Sequence, residues 1–478
     1  MAGGTRKCRT MRPERLLPLL LGLLLPACMV PPPVEMRQPE PPVAADYAPA
    51  TTATGATTAA TSVGFADFFP DSRLHALIER GLARNRDLAV AVAQIAAARA
   101  QYRIQQSSRF PELDSSGTRT RTRTPTSAIT ATPFISNQQS IGVSVPGFEL
   151  DFWGRISNMT AAARSRYLAT AAGEQGARLA LIRSIAEEHW LVLEADERLA
   201  LAEATVDSRR EAVRIARQRL DAGVTSALDF RQAESLLTQA ETDLASLRLA
   251  HAQGNNLLTV LVGGPVPESL PPPLPLEKQE PETVLAAGLP SDLLRVRPDI
   301  LAAEENLRAA RADIGAARAA FFPRISLTGS LGYASTELGD LFTSDKLTWS
   351  FGPSISLPIF DWGQRRGNLD LAVARQDIAV SSYEKTVQEA FREVADALAG
   401  RQYYAEEVEA QQRSAMAFAA IAQLAQTRYR EGVASYLEVL DAERNLFTAQ
   451  QALLTLRRQE LANLAGLYAA LGGGLSTP

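Results

Sequence analysis

Apolar and polar side chains alternate with a period of two in several short segments of the chain. Residues 324–333 and 349–357 both alternate aliphatic or aromatic side chains with serine, threonine or glycine. Alternation over about ten residues is typical of a strand with one apolar and one polar face. Residues 113–124 and 139–145 are predicted to be strands as well. The pattern therefore predicts four strands, two in each half of the chain.

The first predicted strand alternates threonine with Arg119, Arg121 and Arg123. An arginine on the lipid face at mid-bilayer costs about 2–4 kcal/mol. If the strands span a membrane, we expect these arginines to face a water-filled lumen or to lie at the extracellular rim. The alternative is that all four strands form a soluble sheet.

Four long segments are rich in alanine, leucine, arginine and glutamate and contain no proline. They are residues 154–219, 226–262, 363–428 and 435–472. Their composition and the absence of helix breakers predict helices. A helix of 66 residues is about 100 Å long, which is more than an ordinary globular core needs. The small residues along these helices favour close helix packing, as in a tube or a coiled coil.

The chain is internally duplicated. Residues 148–155, Phe-Glu-Leu-Asp-Phe-Trp-Gly-Arg, return in similar form at 357–365, and residues 219–224 return 209 positions later at 428–433. Such a duplication predicts two copies of one structural unit, at 65–264 and 292–474. A linker at 265–291 joins the copies, and residues 475–478 form a tail. A single catalytic pocket fits this pseudo-symmetric plan poorly.

The N-terminal residues predict export and lipidation. Residues 1–27 combine five basic residues and one acid with a short apolar core, and this predicts a signal peptide. The sequence Leu-Pro-Ala-Cys at its end resembles a bacterial lipobox, so we expect Cys28 to carry the lipid; ordinary cleavage with an incidental Cys28 is the alternative. Residues 28–64, rich in proline, alanine and threonine, are predicted to be a tether or an extended strap.

The strand count has a consequence for assembly. No later segment reaches 18 uninterrupted apolar residues, so no transmembrane helix is expected, and a membrane crossing would require a closed β-barrel. Four strands cannot close such a barrel, because the smallest have about eight. Several chains must then contribute to one ring. Three chains would supply twelve strands and twelve long helices.

Three motifs carry a resemblance to a known family. They are Phe321-Phe322-Pro323, the Leu-Pro-Ile-Phe-Asp-Trp-Gly segment at 357–363, and Arg-Tyr-Arg-Glu-Gly-Val-Ala-Ser-Tyr-Leu-Glu-Val-Leu-Asp-Ala at 428–442. The chain resembles the outer-membrane channels of tripartite efflux pumps, the TolC- and OprM-like family, in its NodT-like lipoprotein branch. The resemblance implies a mainly α fold with membrane β. It also implies a homotrimer whose 12-stranded β-barrel is continuous with a 12-helix α-barrel across the periplasm.

The resemblance also implies a gate at the periplasmic tip. The helix hairpins would turn at Gly223 and Gly432. Asp229 and Tyr429 resemble the pair that links neighbouring hairpins in the closed state, and Glu438 and Asp441 resemble two acidic rings around the pore. Ala434 stands where TolC has a basic partner, and the candidate substitutes for that partner are Arg428 and Arg219.

Several function classes are excluded or left open. Without residues 1–27 the formal charge falls from −4 to about −8, which disfavours nucleic acid as a partner. No nucleotide-binding loop, metal-ligand spacing or catalytic constellation stands out, so neither a cofactor nor enzyme activity is expected.

The resemblance implies an exit duct for small molecules in the outer membrane, working with a periplasmic adaptor and an inner-membrane pump of the RND type. The alternatives are the exit channel of type I protein secretion and a lipid-anchored scaffold or adhesin without a pore. The sequence leaves the cargo, the pump and the gate trigger open.

Overall fold

A computed structural model describes residues 36–40, 58–125, 132–281, 283–286 and 294–474. The predicted signal peptide, Cys28 and the tail at 475–478 lie outside the described residues. Contacts divide the chain into two compact units. Among the described residues, the sheet unit contains 36–39, 96–169 and 303–383, and the helical unit contains 40, 58–95, 170–302 and 384–474.

The sheet unit contains a four-stranded antiparallel sheet in the order β2-β3-β5-β6. Its strands are β2 (Asp114–Thr124), β3 (Phe134–Leu150), β5 (Arg324–Ser335) and β6 (Leu347–Ser356). All four strands were predicted, but β3 is much longer than the expected 139–145. A register shift between Val145 and Phe148 lets the strand continue past Pro146 and Gly147, since a bulge tolerates a proline that a regular ladder does not.

The register gives the sheet one apolar and one hydroxyl-rich face. Ile141 lies beside Tyr333, which lies beside Leu347, and these side chains share the apolar face. On the opposite face the hydroxyls of Ser330 and Ser350 are 2.8 Å apart. The alternation in the sequence thus corresponds to a sheet with one apolar and one polar face.

The same register corrects one prediction about the arginines of β2. Arg119 lies beside Gln139, two residues from Ile141 on the same strand, so Arg119, Arg121 and Arg123 share the apolar face. The threonines between them occupy the polar face, where Thr118 is 2.7 Å from the hydroxyl of Ser140. The expectation that the arginines face a polar lumen is therefore wrong. Their position at an extracellular rim remains a prediction.

The four long helices lie where they were predicted, within two residues at each end. They are α4 (Arg155–Asp221), α5 (Ala227–Leu261), α7 (Gln364–Arg430) and α8 (Tyr436–Ala470). No helix in the described part of the chain is both long and apolar enough to cross a membrane.

The structure contains further elements that the pattern did not single out. They are β1 (Thr58–Ala59), α1 (Phe65–Phe68), α2 (Ser72–Arg84), α3 (Arg86–Ser107), β4 (Leu285–Ala286) and α6 (Pro298–Ala319), with short 3-10 turns at Ala60–Ser62, Leu276–Lys278 and Ser344–Lys346. The apolar residues of α3 are spread around its circumference, so it has no apolar stripe to recognise. The strands β1 and β4 pair in parallel and join the N-terminal segment to the linker.

The largest apolar core lies in the helical unit. Phe68 stacks on Tyr468 with ring centroids 4.7 Å apart, and Phe69 packs edge-on against Trp190 at 5.8 Å. All four rings are buried. This core holds the start of the first copy against the end of the second copy.

A buried polar network borders this core. The carboxylate of Asp71 accepts hydrogen bonds from the Nε2 of His189 at 3.0 Å and from the side-chain amide of Gln279 at 2.7 Å. Gln279 in turn accepts a bond from the indole of Trp190 at 3.2 Å. Burial by itself raises the pKa of Asp71, but the bonds from His189 and Gln279 outweigh it and hold the pKa at about 2.

Candidate functional site at the helix hairpins

Each pair of long helices in the helical unit is joined by the same tight turn. At the end of α4, Val224 donates its N–H to the carbonyl of Arg219 at 2.9 Å, and Gly223 has φ of 71°. At the end of α7, Val433 donates to Arg428 at 3.0 Å, and Gly432 has φ of 75°. This is the Schellman arrangement, in which glycine takes a left-handed conformation without a Cβ clash. The turns predicted at Gly223 and Gly432 are therefore present.

The two turns enter their second helices differently. Ser226 caps α5 in a capping box, in which its hydroxyl accepts from the N–H of Asp229 and Asp229 accepts from the N–H of Ser226. The hydroxyl of Thr225 also donates to Asp229, at 2.8 Å. The bonds from Thr225 and Ser226 hold the pKa of Asp229 below its usual value. The carboxylate of Asp229 is thus engaged by its own turn.

The second hairpin lacks this arrangement. Ser435 makes no side-chain bond at the start of α8. Glu438 stands 209 positions after Asp229, but Ala434 replaces Thr225 and offers no hydroxyl. The carboxylate of Glu438 instead lies 3.2 Å from Arg428. The second hairpin therefore carries an exposed ion pair where the first carries a cap.

One contact joins the two hairpins at their tips. The guanidinium of Arg219 donates a hydrogen bond to the hydroxyl of Tyr429 and lies 5.5 Å from the centre of its ring. Tyr429 packs on Tyr436 with ring centroids 5.0 Å apart. The end of α4 is thus tied to the end of α7 by a charge-assisted bond, with an aromatic pair behind it.

A second link lies deeper between the hairpins. The guanidinium of Arg209 lies 2.8 Å from the carboxylate of Glu443, and the arginine side chain is only 5% exposed. Burial raises the pKa of Tyr436 to about 12, and the nearby Glu443 adds to this rise. A buried ion pair of this kind is costly to break, because separation leaves an uncompensated charge.

Apolar packing at the hairpins is small in scale. The first hairpin has a buried cluster of Ala216, Phe230 and Ala233, and the second has one of Ala422, Ala425, Val439 and Ala442. Alanine buries little surface, so these clusters contribute less free energy than the aromatic core at Phe68 and Tyr468. The polar links therefore have a large share in holding the hairpins together.

The structure places the predicted gate residues as follows. Arg428 and Glu438 are brought together, Tyr429 is bound by Arg219, and Asp229 is held by its own turn. Asp441 is paired 3.1 Å from Arg444. In the described ranges no group of three histidine, cysteine, aspartate or glutamate side chains is placed to hold a metal ion.

Sequence reasoning missed Arg209, Glu443, Arg444 and Thr225. The 209-residue offset could have identified Thr225 as the counterpart of Ala434, because both follow the glycine of the turn by two positions. The other three residues have no comparable signal, since charged residues occur throughout these helices.

Comparisons with known proteins agree with this architecture. The family model of the outer membrane efflux protein matches residues 77–264 and 289–473, once in each copy. The solvent efflux pump outer membrane protein SrpC of Pseudomonas putida is 42% identical, with 96% of this chain and 98% of SrpC covered. The cation efflux system protein CusC of Escherichia coli strain K12 is 38% identical, with 97% and 100% covered.

A solved structure shows the same fold. The open state of the MtrE outer membrane channel of Neisseria gonorrhoeae superposes with a TM-score of 0.84 at 38% identity, covering 92% of this chain and 98% of that chain. The mainly helical, duplicated fold with its four-stranded sheet is confirmed, as is the expectation of a channel rather than an enzyme. The chain therefore belongs to the outer membrane efflux protein family and is an outer-membrane channel component of an efflux pump.

Proposed function

We propose that three copies of this chain form one gated exit duct for small molecules, held in the outer membrane by the sheet and by lipid on Cys28. The sheet carries this proposal. It has an exposed apolar face, and the outer edges of its strands β2 and β6 have no further partner among the described strands. Long open edges invite pairing with another chain, and a ring of three sheets would pair all of them in twelve strands.

In this duct the hairpins act as the gate. The bond from Arg219 to Tyr429 holds two hairpins of one chain together, and Glu438 and Asp441 lie near the axis of the trimer. Arg428 and Arg444 pair with these acids and reduce the negative charge of the ring. Opening requires the hairpins to separate, which breaks the polar links while exposing little apolar surface.

A duct in the outer membrane needs partner proteins that supply energy and deliver the cargo. No nucleotide-binding loop stands out in the sequence, so we infer that an inner-membrane pump of the RND type supplies the energy and that a periplasmic adaptor docks at the hairpins. The names of relatives mention solvent and cation efflux. Small solutes are therefore the favoured cargo, and type I protein secretion is less favoured.

Planar-bilayer conductance of the purified protein tests the proposal. We expect small, cation-preferring currents that grow in the Tyr429→Phe, Asp229→Ala variant, because the hairpin link and the bonds of the Asp229 carboxylate within its turn are lost. Glu438→Gln with Asp441→Asn should weaken the cation preference while the protein still assembles. Currents that are the same in the wild-type protein and in the Tyr429→Phe, Asp229→Ala variant would show that Tyr429 and Asp229 are not part of the gate.

Assembly and anchoring need a separate test. Native mass spectrometry should give a trimer of the mature chain, with a lipid mass on Cys28. A Cys28→Ser variant exported with an ordinary signal peptide should still be a trimer and should still need detergent. A monomer that stays in solution without detergent would contradict the proposal.

A further inference from the structure

Three arginines form a ladder along the last half of β2. Arg119, Arg121 and Arg123, named the arginine ladder here, are all exposed and point to the apolar face of the sheet. Alternate residues of a strand are about 6.6 Å apart, so the three guanidinium groups lie in one row. This row lies in the part of β2 that pairs with the start of β3.

The face changes character in steps towards the ladder. Leu331 and Trp349 lie side by side and are 52% and 74% exposed. One step nearer the ladder, Tyr333 packs edge-on against Phe342 at 5.8 Å. The next level is that of Arg119, which lies beside Gln139. An apolar band, an aromatic belt and then basic side chains match the order of hydrocarbon, interface and headgroup in a bilayer.

The described acidic side chains near the ladder do not pair with it. In the part of the chain that the structure describes, none of the three arginines forms an ion pair. Residues 125–148, which run from the end of β2 through most of β3, contain no acidic residue. The neighbouring loop carries Glu337, Asp340 and Asp345; Asp345 is bound by Lys346 at 2.7 Å, and none of the three pairs with a ladder arginine. The ladder thus presents three adjacent cations beside an exposed apolar surface.

We propose that the arginine ladder binds the phosphate groups of anionic lipids in the outer leaflet. The proposal rests on the proposed placement of the sheet in the outer membrane. Guanidinium groups bind phosphate oxygens in a bidentate way, and arginines near the headgroups avoid the cost of mid-bilayer burial. The continuous apolar band beneath the ladder would receive the acyl chains of the same lipid, which favours a lipid over a protein partner.

Binding of diphosphorylated lipid A to the purified protein in detergent tests this proposal. The Arg119→Gln, Arg121→Gln, Arg123→Gln variant should bind on the order of 100-fold more weakly, at about 1 kcal/mol for each basic residue near a headgroup. Dephosphorylated lipid A should bind the wild-type protein and the variant equally weakly. Inorganic phosphate at the same concentration should not displace the lipid, because it lacks acyl chains.

A matched control removes three arginines elsewhere. The Arg210→Gln, Arg214→Gln, Arg217→Gln variant loses the same charge on α4, where each arginine is exposed and pairs with an acid. Its lipid affinity should stay within about twofold of the wild-type value. Equal affinity of the ladder variant and the wild type, or an equal loss in the control, would overturn the proposal.

Conductance of the same preparations separates this proposal from the proposed duct. A ladder variant that conducts normally but has lost lipid A binding supports the ladder. A wild-type protein that binds lipid A through the ladder but carries no current also supports the ladder proposal. That result would contradict only the proposal of a conducting duct.

Discussion

Arg219 at the end of α4 donates a hydrogen bond to the hydroxyl of Tyr429 at the end of α7. The bond depends on a difference between the two copies, because Leu220 occupies the position in the first hairpin that Tyr429 occupies in the second. A second copy that repeated Leu220 at position 429 would lack the hydroxyl. The duplication therefore supplies two hairpins with the same turn, and the tyrosine at position 429 supplies the bond between them.

Removing the arginine should loosen the hairpins. The bond involves a charge but is exposed, so it contributes about 1 kcal/mol. We expect Arg219→Gln to shift the opening equilibrium about fivefold and to raise the mean current in planar bilayers. The effect should not add to that of Tyr429→Phe, because each variant removes the same bond.

Arg214→Gln is the control for this prediction. Arg214 is exposed on the same helix but pairs with Glu211 of its own helix. Its removal changes the charge equally and leaves the hairpin bond intact. If Arg214→Gln raises the current as much as Arg219→Gln, the effect is one of charge and the assigned bond has no part in gating.

A second prediction concerns the missing hydroxyl at Ala434. Ala434→Thr would give Glu438 the partner that Thr225 gives Asp229, and Glu438 would then turn from Arg428 to the start of α8. A double-mutant cycle of Arg428→Gln and Glu438→Gln should give a coupling of about 0.2–1 kcal/mol in the natural chain. The coupling should fall close to zero in the Ala434→Thr background.

Thermal unfolding of the four proteins of each cycle measures this coupling. The matched control is Thr225→Ala, which weakens the cap in the first hairpin and leaves the Arg428–Glu438 pair alone. A coupling that is unchanged by Ala434→Thr would mean that Glu438 does not respond to a nearby hydroxyl.

The sequence predicts the long helices and strands well because each is set by a local signal. The long helices contain no proline. Gly223 and Gly432 lie just after the ends of α4 and α7 and take the left-handed conformation. These signals allowed the helix ends to be predicted within two residues. The face of the β2 arginines was not predictable, because alternation does not say which side meets the apolar residues of β3. The face on which the arginines lie depends on the pairing of Arg119 with Gln139, a contact between two strands that the local sequence pattern does not specify.

The site was predictable only in part for a similar reason. The turns follow from two glycines, but the partner of each charged residue depends on how the helices pack. Arg209 and Glu443 lie far apart in the sequence and meet only when α4 packs beside α8.

A third prediction concerns acid stability and Asp71. The folded pKa of Asp71, about 2, lies below its ordinary value of 3.8. The carboxylate therefore stabilises the fold above pH 4, and this stabilisation is lost as pH falls from about 4 to 2. Asp71→Asn should lower the free energy of unfolding by about 2 kcal/mol at pH 7. The deficit should shrink towards pH 2 in denaturant unfolding.

Asp196→Asn is the matched control for Asp71. Asp196 lies 2.9 Å from His251, so it has the same type of partner, but its side chain is 51% exposed. Asp196→Asn should lower the free energy of unfolding much less than Asp71→Asn does, because solvent screens the pair of Asp196 and His251. Equal losses from both variants, or a deficit for Asp71→Asn that does not change with pH, would contradict the prediction.

The fourth prediction concerns the contact between α7 and α8 at Gly400. A Cβ at Gly400 would lie 2.6 Å from the Cγ of Asn463, whose amide donates to the carbonyl of Ala397 at 2.8 Å. Gly400→Ala forces Asn463 to rotate and give up this bond. The loss of about 1–3 kcal/mol exceeds the gain of up to about 1 kcal/mol in helix propensity. We therefore expect a lower melting temperature.

Gly367, on the same helix, has open space around it, with no atom within 4 Å of an added Cβ. Gly367→Ala should therefore raise the melting temperature, since only the helix propensity changes. In the Asn463→Ala background the clash is absent, and Gly400→Ala should become neutral or stabilising. A rise in melting temperature for Gly400→Ala in the natural chain would show that Asn463 moves aside at little cost, and would contradict the prediction.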